Sequence, residues 1–214
     1  MAGKEGFVKG LSNIGYLQVT ENGSNKVYCG SNQEWFMTEH QRLTGCGPSV
    51  AANILFYLGK KKIKNFYGGS KYDLLKVMEE AWRYVTPAEN GIPSTDIFCT
   101  KLKRYLDVQG GSYEFFVLNI PSNKSGRPTL HEVIQFIVRG LQEDTPIAFL
   151  NLDNGEEQDL EPWHWVTIAV VYFSEREDTA WIDICDEGIV KRIDLKLWLE
   201  TTVQGGGLVY LLRA

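Results

Sequence analysis

The junction between a glycine-flanked cysteine and an apolar run is the part of this sequence best suited to chemistry. Cys46 lies in Gly45-Cys46-Gly47-Pro48-Ser49, and the apolar stretch Val50–Leu58 follows directly with helical spacing. The first N–H groups of a helix lack backbone partners and carry the positive end of the helix dipole, and both features favour a thiolate over a thiol. Cys46 is therefore the candidate nucleophile.

A catalytic thiol needs a base or ion-pair partner, a group that orients this base, and donors for an oxyanion. The chain has three histidines that could be the partner. His131 is expected on an exposed helix start, and His40 lies in the polar loop before Cys46. His164 opens the most apolar predicted strand, where an imidazole at a cleft would be held rigidly. The pattern therefore favours His164.

Two aspartates on the next predicted strand could orient this histidine. Asp183 lies inside the strand, where a carboxylate is costly unless it is paired or faces water. Asp186 ends the strand before Glu187-Gly188, and an aspartate at that position is also ordinary in hairpin turns. The pattern alone leaves the choice between Asp183 and Asp186 open. Cys29, Cys99 and Cys185 are expected to be small apolar packing residues.

The spacing of apolar residues predicts a helical front half of the chain. A hairpin is expected first, from Ile14–Thr20 and Lys26–Cys29 around a turn at Asn22-Gly23. The helices expected after it are Pro48–Leu58 with a stop at Gly59, Tyr72–Val85, Ser94–Tyr105 and one that begins with the capping box Thr129-x-x-Glu132.

The sequence pattern of the back half predicts strands. They are predicted at Tyr113–Asn119, Pro146–Leu152, His164–Phe173, Ala180–Cys185, Ile189–Leu195 and Leu208–Leu212. The run from Trp165 to Val171 hardly alternates, which indicates a strand covered on both faces. We therefore expect one α+β domain over residues 1–214, with a mainly helical lobe at about 30–110 and a mainly β lobe at about 111–214.

Composition and charge exclude several classes of function. A net charge of −5 gives no reason to expect a nucleic-acid partner. No stretch approaches the roughly 20 apolar residues of a membrane span, so no membrane partner is expected. The histidines are scattered and no ligand pair has zinc-like spacing, so we expect no metal and no cofactor. The four cysteines form no close pair, and the first ten residues lack a signal-peptide core; reduced thiols in a cytoplasm are expected.

The segment Gly45-Cys46-Gly47-Pro48-Ser49-x-Ala51 resembles the active-site segment of papain-like cysteine peptidases. It is most similar to the branch of the bacteriocin-processing (double-glycine-leader) peptidases and their stand-alone relatives. In that branch a histidine begins a strand rich in valine and threonine, as His164-Trp165-Val166-Thr167 does here. An aspartate then ends the next strand, a position that Asp186 fills better than Asp183. The branch usually has proline after this aspartate, whereas this chain has Glu187.

The resemblance implies a papain-like fold and a Cys46–His164–Asp186 triad acting on a peptide or protein substrate. The oxyanion glutamine of the family precedes the cysteine, and Gln33 and Gln41 both compete for that role here. The implied activity is hydrolysis of peptide or amide bonds through an acyl-enzyme. Acyl transfer by the same thiol and a catalytically inactive papain-like binding module are the alternatives.

The loop before His164 is strongly acidic. Its carboxylates belong to Asp153, Glu156, Glu157, Asp159 and Glu161. If this loop borders the cleft, the site should prefer basic or neutral substrate segments over acidic ones.

Overall fold

The computed structural model describes residues 6–62, 68–89, 91–174, 176 and 178–214. Within these ranges the helices α1–α6 are Glu39–Thr44, Cys46–Lys62, Lys71–Trp82, Thr95–Val108, Leu130–Gln142 and Leu195–Thr201. The strands β1–β9 are Phe7–Gly10, Gln18–Thr20, Val27–Cys29, Tyr113–Ile120, Ile147–Asn151, His164–Ser174, Thr179–Asp186, Ile189–Asp194 and Gly206–Arg213. The predicted α+β class is confirmed.

Capping explains where most of the predicted helices begin. Ser94 caps α4 by accepting from the Ile97 N–H, and Thr129 forms the predicted capping box with Glu132 at the start of α5. The expected stop at Gly59 is wrong, because α2 continues to Lys62. A cation–π contact stabilises the extra turn, because the Lys60 ammonium lies 4.3 Å from the centre of the Phe56 ring one turn earlier.

The main sheet brings the ends of distant strands together. Its order is β4-β9-β5-β6-β7-β8, with β1 paired to the far half of β6, and the described pairs are antiparallel. The expected hairpin is present as a separate two-stranded sheet of β2 and β3, although Ile14–Tyr16 forms a 3₁₀ turn instead of strand. β1 was not predicted, because a single four-residue strand carries little periodicity.

Helices cover both faces of the main sheet. Ala148 and Leu150 of β5 pack against the core formed by α2, α3 and α4, whereas Ile147 and Phe149 of the same strand pack against the core that includes α5 and α6. This alternation follows from the two-residue period of a strand. The first six residues of β6 are buried, so the prediction of a strand covered on both faces is confirmed.

Candidate active site

Cys46 is the first residue of α2, one residue after the short helix α1. The glycines on either side are required by packing. A Cβ atom at Gly45 would lie 2.3 Å from the Gln41 carbonyl oxygen and 2.7 Å from the Phe36 ring, and one at Gly47 would lie 2.8 Å from Ile92 Cδ1. These close approaches hold the cysteine at the helix N-terminus, where N–H groups and the helix dipole stabilise an anion.

The structure brings Cys46, His164 and Asp186 together. His164, the first residue of β6, donates from Nε2 to Asp186 Oδ1 at 2.7 Å. Cys46 lines the same crevice as His164 and is close enough to raise the pKa of the imidazole. Both His164 and Asp186 are buried, while Cys46 is partly exposed. The imidazole thus lies between a reachable thiol and a buried carboxylate.

The electrostatics of this arrangement favour a protonated imidazole. Burial alone lowers the pKa of His164, but the hydrogen bonds and charges of Asp186 and Cys46 outweigh it and raise the pKa to about 10. Burial likewise raises the pKa of Asp186, yet its bonds to His164 and Lys191 lower it below the ordinary value. At neutral pH the site therefore holds an imidazolium beside a carboxylate.

Asp183 lies away from this group. It precedes Asp186 by three residues on β7, so the two side chains point to opposite faces of the strand. Its carboxylate accepts from Arg192 Nε at 2.7 Å and from the Tyr172 hydroxyl at 2.8 Å. Of the two aspartates that the sequence left open, only Asp186 contacts His164.

The turn after Asp186 has a conformation that glutamate can adopt and proline cannot. Glu187 and Gly188 link β7 to β8 as a two-residue loop, and their φ angles are 49° and 79°. Positive φ at both positions is typical of the type I′ hairpin turn. Proline, fixed near −65°, does not fit the conformation of Glu187. The departure from the family pattern is thus accommodated by a different turn.

The two candidate glutamines occupy different environments. Gln33 begins the 3₁₀ turn Gln33–Trp35 and lines the crevice around Cys46 and His164, and its buried Oε1 has no hydrogen-bond partner. Gln41 is engaged in the capping box of α1 with Thr38, and its amide donates to Glu79 at 2.9 Å. Of the two, Gln33 is the one that lines the crevice around Cys46.

A network of polar side chains holds these segments in register, and sequence reasoning missed it. Asn53 accepts from the Ser31 N–H at 2.8 Å and donates to the Thr167 hydroxyl at 3.0 Å, which ties α2 to β6 and to the segment before Gln33. Asn32 donates to the Glu187 carbonyl at 2.9 Å. Asn53 follows Cys46 by seven residues, or two helical turns, and a polar residue at that spacing within an apolar helix was the available signal.

Lys191 is the other residue that sequence reasoning missed. Its ammonium donates to Asp186 Oδ2 at 2.7 Å, so both oxygens of this carboxylate are engaged. Lys191 follows Asp186 by five residues across the hairpin turn, and the distance between them depends on the register of β7 and β8. No sequence pattern indicates this contact between Lys191 and Asp186.

The remaining histidines and cysteines lie outside the triad. The His40 ring contacts the edge of Trp82, and His131 is on α5. Cys29 and Cys185 are buried and hydrogen-bond each other, while burial and Asp96 raise the pKa of Cys99 to about 12. All four cysteines are free of disulfides.

Cys46 borders two spaces of very different size. The crevice that it shares with Gln33, His164 and Asp186 offers about 10 Å³, no more than one water molecule requires. On its other side lies an open groove of about 620 Å³. The groove residues are Leu43, Thr44, Cys46, Glu89, Gly91, Pro93 and Trp163. Of these two spaces, only the groove is large enough to hold a peptide side chain.

The carboxylates of the acidic loop do not line this groove, although Trp163 at the end of the loop does. Two of its carboxylates accept hydrogen bonds from the backbone and so stabilise the fold. Asp153 accepts from the Gly155 and Val203 N–H groups, and Glu157 accepts from the Asp159 and Asp194 N–H groups. None of the five acidic residues of this loop is among the groove residues, so the condition set for a charge preference from this loop is not met there. The carboxylate that does border it belongs to Glu89, which the sequence did not single out.

Within the described ranges, no three His, Cys, Asp or Glu side chains are grouped closely enough to hold a metal ion. Among the same residues, no helix combines the length and apolar character that crossing a membrane would require.

Comparison with known proteins finds a structural likeness and no sequence relative. No protein-family model matches the chain, and no curated protein matches its sequence. Among solved structures, UfSP from C. elegans, a cysteine protease with a papain-like fold, matches with a TM-score of 0.53 and 11% sequence identity. The match covers 98% of this chain but 35% of UfSP, so the chain spans about a third of that protein's length.

At this level of identity the likeness concerns the fold. It supports the expected papain-like fold at a coarse level. It does not support the narrower assignment to the bacteriocin-processing branch, which stays a prediction.

Proposed function

We propose that this chain is a thiol-dependent hydrolase that cleaves peptide or amide bonds in a peptide or protein substrate. The observation that carries the proposal is the chain of contacts from a thiol at a helix N-terminus, through a buried imidazole, to a buried carboxylate. An open groove beside the thiol supports a substrate of peptide size. The papain-like fold is consistent with this chemistry.

The first half of the reaction uses the charges described above. With the pKa of His164 raised to about 10, the imidazole holds a proton at neutral pH and pairs with the Cys46 thiolate. The thiolate attacks the carbonyl carbon of the scissile bond, and the carbonyl oxygen becomes an oxyanion. The Cys46 N–H and the Gln33 side-chain amide are the proposed donors to this oxygen.

The second half regenerates the thiol group. The imidazolium donates its proton to the leaving amine, and the C–N bond breaks to give an acyl-enzyme. The neutral imidazole then takes a proton from water, which attacks the thioester and releases the acid. Asp186 orients the ring throughout by accepting from Nε2, and Lys191 holds the carboxylate in place.

Two finer points belong to the same proposal. The His164-Trp165-Val166-Thr167 strand supports a relationship to the bacteriocin-processing branch, and the four free cysteines are compatible with a reducing cytoplasm.

Cleavage of a peptide library, followed by mass spectrometry, tests the proposed activity. Wild type should yield new termini, Cys46→Ala should yield none, and Cys99→Ala should match wild type because Cys99 lies outside the site. Cleavage that persists in Cys46→Ala would exclude the mechanism. Adding an amine acceptor during turnover separates the alternatives, since amide products would indicate acyl transfer in place of hydrolysis.

A further inference from the structure

The groove beside Cys46 has a mixed chemical character. Two large apolar side chains on its border are exposed to solvent, Leu43 by 74% and Trp163 by 56%. Trp163 directly precedes His164 and has a φ of 56°, an uncommon conformation for a bulky residue. A strained backbone conformation costs folding free energy. It persists where the surrounding structure imposes it, commonly at functional sites, and here it lies next to the proposed catalytic histidine.

The described residues that line the groove carry negative charge and no positive charge. Glu89 is its only charged residue among the described residues that line it, and no described Lys or Arg pairs with its carboxylate. Two cations of neighbouring segments are already engaged: Lys191 with Asp186, and Arg42 with the Phe36 and Met37 carbonyls. A cationic group entering the groove would therefore find a carboxylate that no described cation neutralises.

The backbone next to Glu89 forms a narrow turn. Ala88 and Gly91 exchange both N–H···O bonds, at 3.0 and 3.1 Å, so Glu89 stands at the tip of a tight bend directed at the groove. Gly91 has a φ of 73°, and a Cβ built on it would meet no atom within 4 Å. The groove wall at Gly91 is thus open to a ligand side chain.

We propose that this groove selects substrates with a long basic side chain, lysine or arginine, at or next to the residue whose carbonyl is attacked. Its aliphatic stem would lie against Leu43, Pro93 and the Trp163 ring, and its cation would meet Glu89. The aromatic face adds to the carboxylate, because a cation over an indole is attracted by the ring's negative face. The inference rests on the proposed function, because it places the thiol reaction at Cys46.

Affinity labels that alkylate Cys46 test the groove without requiring peptide hydrolysis. The labels are peptidyl chloromethyl ketones with lysine, norleucine or glutamate at one position. In one series this position is the residue that carries the ketone, and in a second series it is the residue before. Norleucine has the carbon chain of lysine without the ammonium group. Each labelling rate is followed by intact-mass spectrometry and divided by the rate with iodoacetamide, which removes differences in thiol reactivity.

The lysyl label should react about fivefold faster than the norleucyl label in wild type, at one of the two positions. This ratio should fall to about one in Glu89→Gln, and also in wild type at 1 M salt. Glu89→Lys should react faster with the glutamyl label than with the lysyl label. Glu156→Gln is the matched control, since it removes the same charge from an exposed residue outside the groove, and it should keep the wild-type ratio. Equal ratios in wild type and Glu89→Gln, or equal losses in both variants, would overturn the inference.

The two proposals fail in different ways. If wild type cleaves no peptide but keeps the Glu89-dependent preference, the hydrolase proposal fails and the groove inference stands. If it cleaves peptides and shows no such preference, only the groove inference fails.

Discussion

Cys46 and Cys99 are both partly exposed and both belong to a helix, yet they stand in opposite environments. Cys99 lies inside α4, where burial and the Asp96 carboxylate raise its pKa to about 12 and keep it a neutral thiol. Cys46 begins α2 and lies in the same crevice as His164, whose pKa is raised to about 10. The comparison teaches that position along the helix and the charge of the neighbour, rather than exposure, distinguish the environments of the two thiols.

The largest expected effect is on the reactivity of the two thiols. With iodoacetamide at pH 6, Cys46 should be alkylated at least about 10²-fold faster than Cys99, because thiolate and not thiol is the nucleophile. His164→Gln should remove most of this advantage by removing the positive partner. Peptide mapping of the alkylated protein measures both sites in one sample. Similar rates at Cys46 and Cys99 in wild type would show that the helix N-terminus and the imidazole do not activate the thiol.

The next effect concerns the carboxylate behind the imidazole. Asp186→Asn should lower kcat/KM by about 10²–10³, since the ring loses its orienting acceptor. The imidazolium form is required, so activity should be lost as pH rises through the His164 pKa of about 10. Without Asp186 this basic limit should move down toward the ordinary histidine value.

Asp183→Asn is the matched control on the same strand. It breaks the pair with the half-exposed Arg192 side chain and should cost only about 0.5–1 kcal/mol of folding stability. Its pH–rate profile should superimpose on that of wild type. A shifted basic limit in Asp183→Asn, or an unshifted one in Asp186→Asn, would reassign the orienting residue.

The smallest expected effect separates the two glutamines. Gln33→Ala should lower kcat by about 10² with little change in thermal stability, because a donor to the oxyanion is lost. Gln41→Ala should leave kcat unchanged and lower stability by about 1 kcal/mol, since it removes the α1 capping box. Turnover assays and thermal melts on both variants decide the matter. An unaffected kcat in Gln33→Ala would leave Cys46 without its proposed side-chain donor.

Much of the local structure followed from local signals. Ser94 and Thr129 marked helix starts because their side chains accept from N–H groups within the same turn, and such contacts depend on neighbours in the chain. The strand prediction for β6 held because burial on both faces leaves an apolar run without alternation. The helix stop at Gly59 failed for the opposite reason, since the contact of Lys60 with Phe56 offset the low helix propensity of glycine.

Sequence by itself identified a thiol at a helix N-terminus and the imidazole at the start of a buried strand, because residue type and local spacing fix both features. The family resemblance favoured Asp186 over Asp183, but only the tertiary structure shows which aspartate contacts His164 and which glutamine lines the crevice, and only it revealed Asn53, Lys191 and Glu89. These side chains reach their places through strand register, turn conformation and packing between segments far apart in the chain. Contacts of that kind depend on where the backbone folds back, which residue spacing does not encode.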